Sequence, residues 1–390
     1  MRQRLLMSGQ CLGSATIVDY FPKLFRGGSF PDGMQEDADE SQETSAAAAL
    51  SACVALSAWP HASSAQGASG VDRRISLDVV VTDKSGNPVP GLQQQDFTVS
   101  DNKRPQPVTS FSAVAQGSKA DAPPLRVVFI VDELNTSFRG MVNAQQQLEK
   151  YLRQDGGQLP VAMSLVIFNE KSTHVQGTPT RNGNLLADSV HAIPAGAPRA
   201  LEGTEFANRL WRLQTSVRAL GKLVAYEATQ PGRKLLIWLS SGWPLIMENE
   251  DNLPAKGQET DFHTVVRLSL GLRDAHVTLY SIDPLGTDDA GGLGSIYYQN
   301  FLEGVPSAQK FRTGDLTLGV IATQSGGQVL NRNNDVAALI GKCVADANSY
   351  YSLSFDSNAA AHADEYHDVQ VKIDKPGLVA RTRTGYYAQP

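Results

Sequence analysis

From Leu125 to Asn348 the chain alternates short, continuous apolar runs with longer amphipathic stretches, and that alternation limits it to very few architectures. Arg126-Val127-Val128-Phe129-Ile130-Val131-Asp132 has no polar residue between its ends, as expected of a parallel strand covered on both faces. A helix is predicted over 145–153, a strand over 161–168, a long helix over 206–228 stopped by Pro231-Gly232, and a strand over 234–240. A helix over 262–274, a strand over 277–283, a helix over 317–325, a short strand over 327–330 and a helix over 335–348 capped by Asp335 complete the series. Strand and helix in regular succession specify an α/β fold with a doubly wound, mostly parallel sheet over 125–348.

The flanks follow a different period. Ile75, Leu77, Val79 and Val81 fall on one face of a period-2 stretch, Asp83-Lys84-Ser85-Gly86-Asn87-Pro88 has turn chemistry, and β stretches follow at 97–100 and 108–114. Three more strands are predicted after Ser349, at 350–355, 367–373 and 379–387. Neither group has enough strands to stand alone, so 72–116 and 350–388 are expected to combine across the insertion into an Ig-like β-sandwich of six or seven strands. Strand alternation predicts one buried ring in each of the tyrosine pairs at 297, 350 and 386.

Residues 1–45 lack periodicity and end in the acidic stretch Glu36-Asp37-Ala38-Asp39-Glu40, which reads as disordered or as a start assigned too far upstream. Residues 46–65 resemble a signal peptide: Ala46 to Trp59 is apolar and small, and Ser63-Ser64-Ala65 suits cleavage after Ala65. The expectation is a secreted or periplasmic protein, with a short Ala-rich helix as the alternative. Leu50-Ser51-Ala52-Cys53 also fits a lipoprotein box, but most of the apolar stretch follows the Cys. Of Cys11, Cys53 and Cys343 only the last would survive cleavage, as a buried apolar filler on a helix. Across the 390 residues, 34 Lys plus Arg against 40 Asp plus Glu leave no surplus of cations for a phosphate backbone, which argues against nucleic acid as a partner. No apolar run approaches the roughly 20 residues of a membrane-spanning helix.

Motifs for phosphate loops, dinucleotide binding, serine hydrolases and zinc proteases are absent from the sequence, so the chain reads as no enzyme. His362-Ala363-Asp364-Glu365-Tyr366-His367 gathers metal-ligand types but reads as a solvated loop before a strand. In an open parallel sheet ligands bind at the carboxyl ends of strands. There the chain offers Asp132-Glu133-Leu134-Asn135-Thr136-Ser137, Ser240-Ser241-Gly242 and Asp283-Pro284, oxygen ligands of the kind that suit Mg2+ or Ca2+. Asp132 and Asn135 can equally cap the next helix, and Trp238 and Trp243 read as packing residues.

These elements resemble the von Willebrand factor type A domain, and more closely the VWFA-related family of secreted acidobacterial proteins. The resemblance rests on Val81-Thr82-Asp83-Lys84-Ser85-Gly86-Asn87-Pro88-Val89, Asp132 to Ser137, Pro231-Gly232-Arg233-Lys234 before Ile237-Trp238-Leu239-Ser240, Tyr280-Ser281-Ile282-Asp283, Ser349-Tyr350-Tyr351 and Gly385-Tyr386-Tyr387-Ala388. It implies a degenerate metal-ion-dependent adhesion site holding Mg2+ or Ca2+. Asp132 matches its first Asp, Thr136 its second hydroxyl and Thr204 the separate Thr, while Leu134 replaces the first Ser and Ser241 stands where an Asp would precede Gly242. The function expected is an exported, non-enzymatic binding or adhesion module that presents carboxyl-edge loops to a protein or cell-surface ligand. The alternatives are a metal-dependent hydrolase at that edge and a structural envelope component.

Overall fold

The computed structural model describes residues 73–114, 124–194, 204–246, 255–286 and 298–389, all within one compact unit. The segments read as disordered or mis-assigned and as signal-like lie outside the described residues, as does Tyr297.

At the centre is a six-stranded sheet. Its strands are β5 (Leu125–Asp132), β6 (Gln158–Phe168), β7 (Thr173–Asn182), β8 (Arg233–Leu239), β9 (Val277–Ile282) and β10 (Val329–Leu330), in the order β10-β9-β8-β5-β6-β7. All neighbours are parallel except β7, which runs antiparallel to β6 at one edge. The expected doubly wound, mostly parallel sheet is the observed one. Helices α1 (Phe138–Leu152), α2 (Gly183–His191) and α6 (Val336–Asn348) cover one face; α3 (Glu205–Ala228), α4 (Ala255–Asp274) and α5 (Leu318–Gln324) cover the other. Two apolar cores result, and alternate residues of each strand feed them: Val127, Phe129 and Val131 into the first, Val128 and Ile130 into the second. β5 and β8 are entirely or almost entirely buried, which is why they read as continuous apolar runs.

Two four-stranded sheets form the sandwich, each drawing on both flanks of the chain. One has the order β13-β1-β11-β4, from Val379–Arg381, Arg74–Thr82, Tyr350–Asp356 and Ser110–Val114; the other has β14-β12-β2-β3, from Gly385–Ala388, Glu365–Ile373, Phe97–Asp101 and Arg104–Gln106. Leu77, Val79, Val99, Leu353, Phe355 and Tyr386 lie in the core between them.

Several expectations need correction. The sandwich has eight strands rather than six or seven: the run predicted over 379–387 breaks at Thr382–Thr384 into β13 and β14, which belong to different sheets, and β3 at Arg104–Gln106 was not predicted. A run of β-type residues shows extension but cannot show where a strand changes partner. β7 and α2 were not predicted: β7 contains Gly177 and Pro179, residues that weaken a strand reading but are tolerated at a sheet edge. α1 begins seven residues before its predicted start, capped by the Ser137 hydroxyl, which accepts from the Gly140 N–H at 3.2 Å. Both rings of Tyr350-Tyr351 and of Tyr386-Tyr387 are buried. Tyr351 and Tyr386 face the sandwich core, whereas Tyr350 lies under the Arg233 guanidinium and Tyr387 packs on Phe262 of α4, so the strands carrying them are covered on both sides.

The sandwich and the α/β unit are therefore joined by buried polar contacts as well as by packing. Arg233 at the start of β8 pairs with Asp78 of β1 at 3.0 Å, and Arg381 of β13 pairs with Asp346 of α6 and donates to the Tyr280 hydroxyl of β9. The Tyr387 hydroxyl donates to the Val305 carbonyl at 3.1 Å.

Candidate functional site at the carboxyl edge

The chain leaves β5 toward β6 and β7 on one side and places β8, β9 and β10 on the other, so adjacent strands β5 and β8 form the switch point of the sheet. Their carboxyl ends diverge there and open the edge where such folds bind ligands. Asp132 ends β5, and Ser240-Ser241-Gly242 follows β8.

Asp132 is fully buried, and donors from both strands close around it. Its Oδ1 accepts from the Asn135 backbone N–H at 2.8 Å and from Asn135 Nδ2 at 3.2 Å. Its Oδ2 accepts from Asn135 Nδ2 at 2.9 Å and from the Trp238 indole N–H at 2.8 Å. The Ser240 hydroxyl donates as well. Burial holds this carboxyl above the ordinary carboxylate range, while the Asn135, Trp238 and Ser240 donors pull it back.

A further layer fixes Asn135. Its Nδ2 also donates to Ser216 Oγ at 2.8 Å, and its Oδ1 accepts from Arg212 Nε at 3.3 Å, both residues on α3. Ser216 Oγ donates to the Arg212 carbonyl at 2.8 Å. Trp238 packs edge-to-face on Phe168 and Trp243, with centroids 5.7 and 5.2 Å away, which aims its N–H at Asp132. Both tryptophans are thus packing residues, and Trp238 is a hydrogen-bond donor besides. Sequence reasoning passed over that second role, although the register contained it: Ile130 stands opposite Trp238, and Asp132 lies on the same face as Ile130, two residues on.

The four residues expected at a metal are placed unequally. Asp132 and Thr136 are both buried in the β5–α1 loop, and the Thr136 hydroxyl meets no partner among the described residues. Thr204 is exposed and caps α3, its hydroxyl accepting from the Ala207 N–H at 3.2 Å. Ser241 is half-buried beside Ser240, whose Oγ accepts from the Gly242 N–H at 3.1 Å. The helix-cap role considered for Asp132 and Asn135 falls to Ser137 instead, while Asp132 satisfies the Asn135 backbone N–H in the turn.

This donor set does not fit Mg2+ or Ca2+. A carboxylate offers about four acceptor positions, and those of Asp132 are engaged by N–H and O–H donors. A hard cation would have to displace one and leave a buried donor unpaired, whereas it requires six or more oxygens, carboxylates among them. The unengaged buried oxygen here is the Thr136 hydroxyl. Among the described residues no three His, Cys, Asp or Glu side chains gather at a metal-binding distance. That includes the His362–His367 segment, where Glu365 to His367 belong to β12 rather than to a loop and His367 is buried against Asp101 at 2.8 Å.

Phe138 opens α1 directly after this loop and is 54% exposed. It is one of three large apolar side chains exposed among the described residues, with Leu185 and Val379. Asn143 of α1 donates to the Pro284 carbonyl, and Asn169 Nδ2 donates to Glu133 at 3.0 Å, so the loops after β5, β6 and β9 brace one another.

The α/β unit has a von Willebrand factor type A-like fold. That statement rests on the strand order, the antiparallel edge strand and the Asp-bearing loop at the switch point. No protein-family model matches the chain, and no curated protein matches it. Among solved structures, the von Willebrand factor domain of the type V pilus tip protein Mfa5 from Porphyromonas gingivalis is 18% identical over 31% of this chain and 38% of its own length, with a TM-score of 0.20. The match therefore spans under half of that domain. Manganese-loaded TRAP protein from Plasmodium vivax is 10% identical over 70% of this chain and 96% of its own, with a TM-score of 0.31. A von Willebrand factor type A protein from Catenulispora acidiphila is 10% identical over 76% of each chain, with a TM-score of 0.31.

Proposed function

We propose that this chain is an exported, non-enzymatic binding module that meets a protein or cell-surface ligand through the carboxyl-edge loops of its von Willebrand factor type A-like sheet. One contrast carries the reading: the carboxylate that acid–base or metal chemistry would require is sealed and saturated, while the aromatic ring of Phe138, which opens the helix directly after the same loop, is open to solvent. Exposed aromatic rings on a braced loop are typical anchors of protein interfaces. The runner-up, a metal-dependent hydrolase, needs an unengaged carboxylate or base at this edge, and Asp132 supplies none. Export is supported by the signal-like stretch 46–65 and by the resemblance to a secreted family.

A photo-crosslinking residue placed at Phe138 in the producing cell tests the interface. Discrete adducts are expected from position 138 and none from Val379, whose exposure is similar at 59%. Equal labelling from both positions would discard the carboxyl edge as the contact surface. Amino-terminal sequencing checks export, the expected mature terminus lying at or near Gln66.

A further inference from the structure

Outside the carboxyl-edge loops, a crevice of about 640 Å3 lies where β10, the edge of the parallel sheet, faces β12 and the link between β13 and β14. Tyr298, Gln328, Lys372, Thr382 and Arg383 are in its wall. Arg383 is only 8% exposed, yet its guanidinium has no hydrogen bond or ion pair among the described residues. The acids that act on it are committed elsewhere: Asp78 to Arg233 at 3.0 Å and Asp274 to Arg273 at 3.0 Å. Asp315 shares with Arg383 the wall of an adjoining cavity of about 20 Å3, room for one water, and accepts from the Arg312 N–H at 2.7 Å. Two further groups in the crevice are unmatched. The Thr382 hydroxyl is buried without a partner, and exposed Lys372 meets no carboxylate among the described residues. Asp368, an acid on the same face of β12, accepts from Gln370 at 3.1 Å.

A guanidinium so nearly buried, with no protein acceptor among the described residues, depends on water or a ligand reaching it for its hydrogen bonds. Burial, and then the nearby Arg273 charge, pull Arg383 down to about 10. We propose that the crevice binds a ligand bearing an oxyanion, carboxylate or phosphate, with Arg383 as its buried anchor, Lys372 as a second charge and the Thr382 hydroxyl as a further donor. The planar guanidinium fork matches two oxygens of such a group at once. The crevice is far larger than a free ion, so the oxyanion is one end of a bigger molecule.

Thermal unfolding of the full chain with inorganic phosphate, with glutarate and with neutral glutaramide, at ionic strength matched by NaCl, tests this. Phosphate or glutarate is expected to raise the midpoint in proportion to the logarithm of its concentration, and glutaramide is not. The larger of the two ionic responses tells phosphate from carboxylate. Arg383→Met should abolish the response while keeping or raising the unliganded midpoint, because an unpaired buried charge is removed. Lys372→Gln, a surface change that leaves the core intact, should weaken apparent affinity roughly three- to tenfold and so reads the site even where Arg383→Met fails to fold. No response to either oxyanion at tens of millimolar would assign the missing acceptor to cavity water and overturn the proposal. So would an equal response to glutaramide, or one that Lys372→Gln and Arg383→Met both leave intact.

Discussion

Two aspartates, Asp132 at the edge of the parallel sheet and Asp101 inside the sandwich, are both almost wholly buried, yet they are satisfied in opposite ways. Asp132 takes most of its donors from Asn135, three residues away, with Trp238 from the neighbouring strand. Asp101 of β2 takes its donors from the far end of the chain: His367 Nδ1 of β12 lies 2.8 and 3.1 Å from its two oxygens, and the Tyr386 hydroxyl of β14 donates at 2.8 Å. The first is a local device that shapes a loop. The second joins the amino-terminal and carboxyl-terminal flanks of the sandwich, so its loss should be felt by the fold as a whole. Burial has no single meaning for a carboxylate; what matters is where its donors come from.

The contrast can be broken most forcefully at Asp101. Asp101→Ala removes the acceptor that the Tyr386 hydroxyl and His367 Nδ1 share in a sealed core, leaving them only each other at 3.1 Å, and should cost about 3 kcal/mol of unfolding free energy by urea titration. A cost under about 1 kcal/mol would show that the flanks are held by apolar packing alone. Trp238→Phe keeps most of the ring packing and removes one donor to Asp132, so about 2 kcal/mol is expected, with a further rise in the Asp132 pKa. If Asp132 instead becomes responsive to millimolar Mn2+ in this variant, the indole N–H occupies the position that a cation would take.

A third acid sharpens the comparison from the other side. Asp261 on α4 is half-buried, has no hydrogen-bond donor among the described residues, and is pushed up by burial to about 6. A carboxyl raised in the folded state contributes its stability below the unfolded pKa near 3.8 and loses it as pH rises through about 6. Asp261→Asn, which cannot ionise, should therefore be more stable than the parent at pH 7 by on the order of 1 to 2 kcal/mol, a discount having been made for partial exposure. The advantage should vanish below about pH 4. An advantage independent of pH would point to packing rather than ionisation.

Much of the fold was legible because its signals are local. Period-2 alternation at Ile75 to Val81, the apolar runs of β5, β8 and β9, and the Asp335 cap, which accepts from the Ala338 N–H at 3.3 Å, each act within a few residues. Pro231-Gly232 marked the end of α3 for an equally local reason: Gly232 has φ +79° and lies so close to the Pro124 carbonyl that a Cβ would collide with it. β7 escaped notice because an edge strand tolerates residues that a central strand rejects. At the candidate site, Asp132 and Thr136 were legible by position in their loop. Asn135 as the main donor to Asp132, Arg212 behind it and the exposure of Phe138 were not, because each depends on how α3 and α1 pack over the strand ends.

Chain-local chemistry was enough to set the class of fold and the loop at which a site would form, since periodicity, caps and turns depend on neighbours in sequence. Tertiary structure alone decided that one run of β residues serves two sheets, that Asp132 faces an indole N–H rather than an open edge, and that Arg383 has no acceptor among the described residues. Those outcomes depend on which groups meet across distances of 100 residues or more, where the free energy of a buried polar group is set by its partners and not by its own identity.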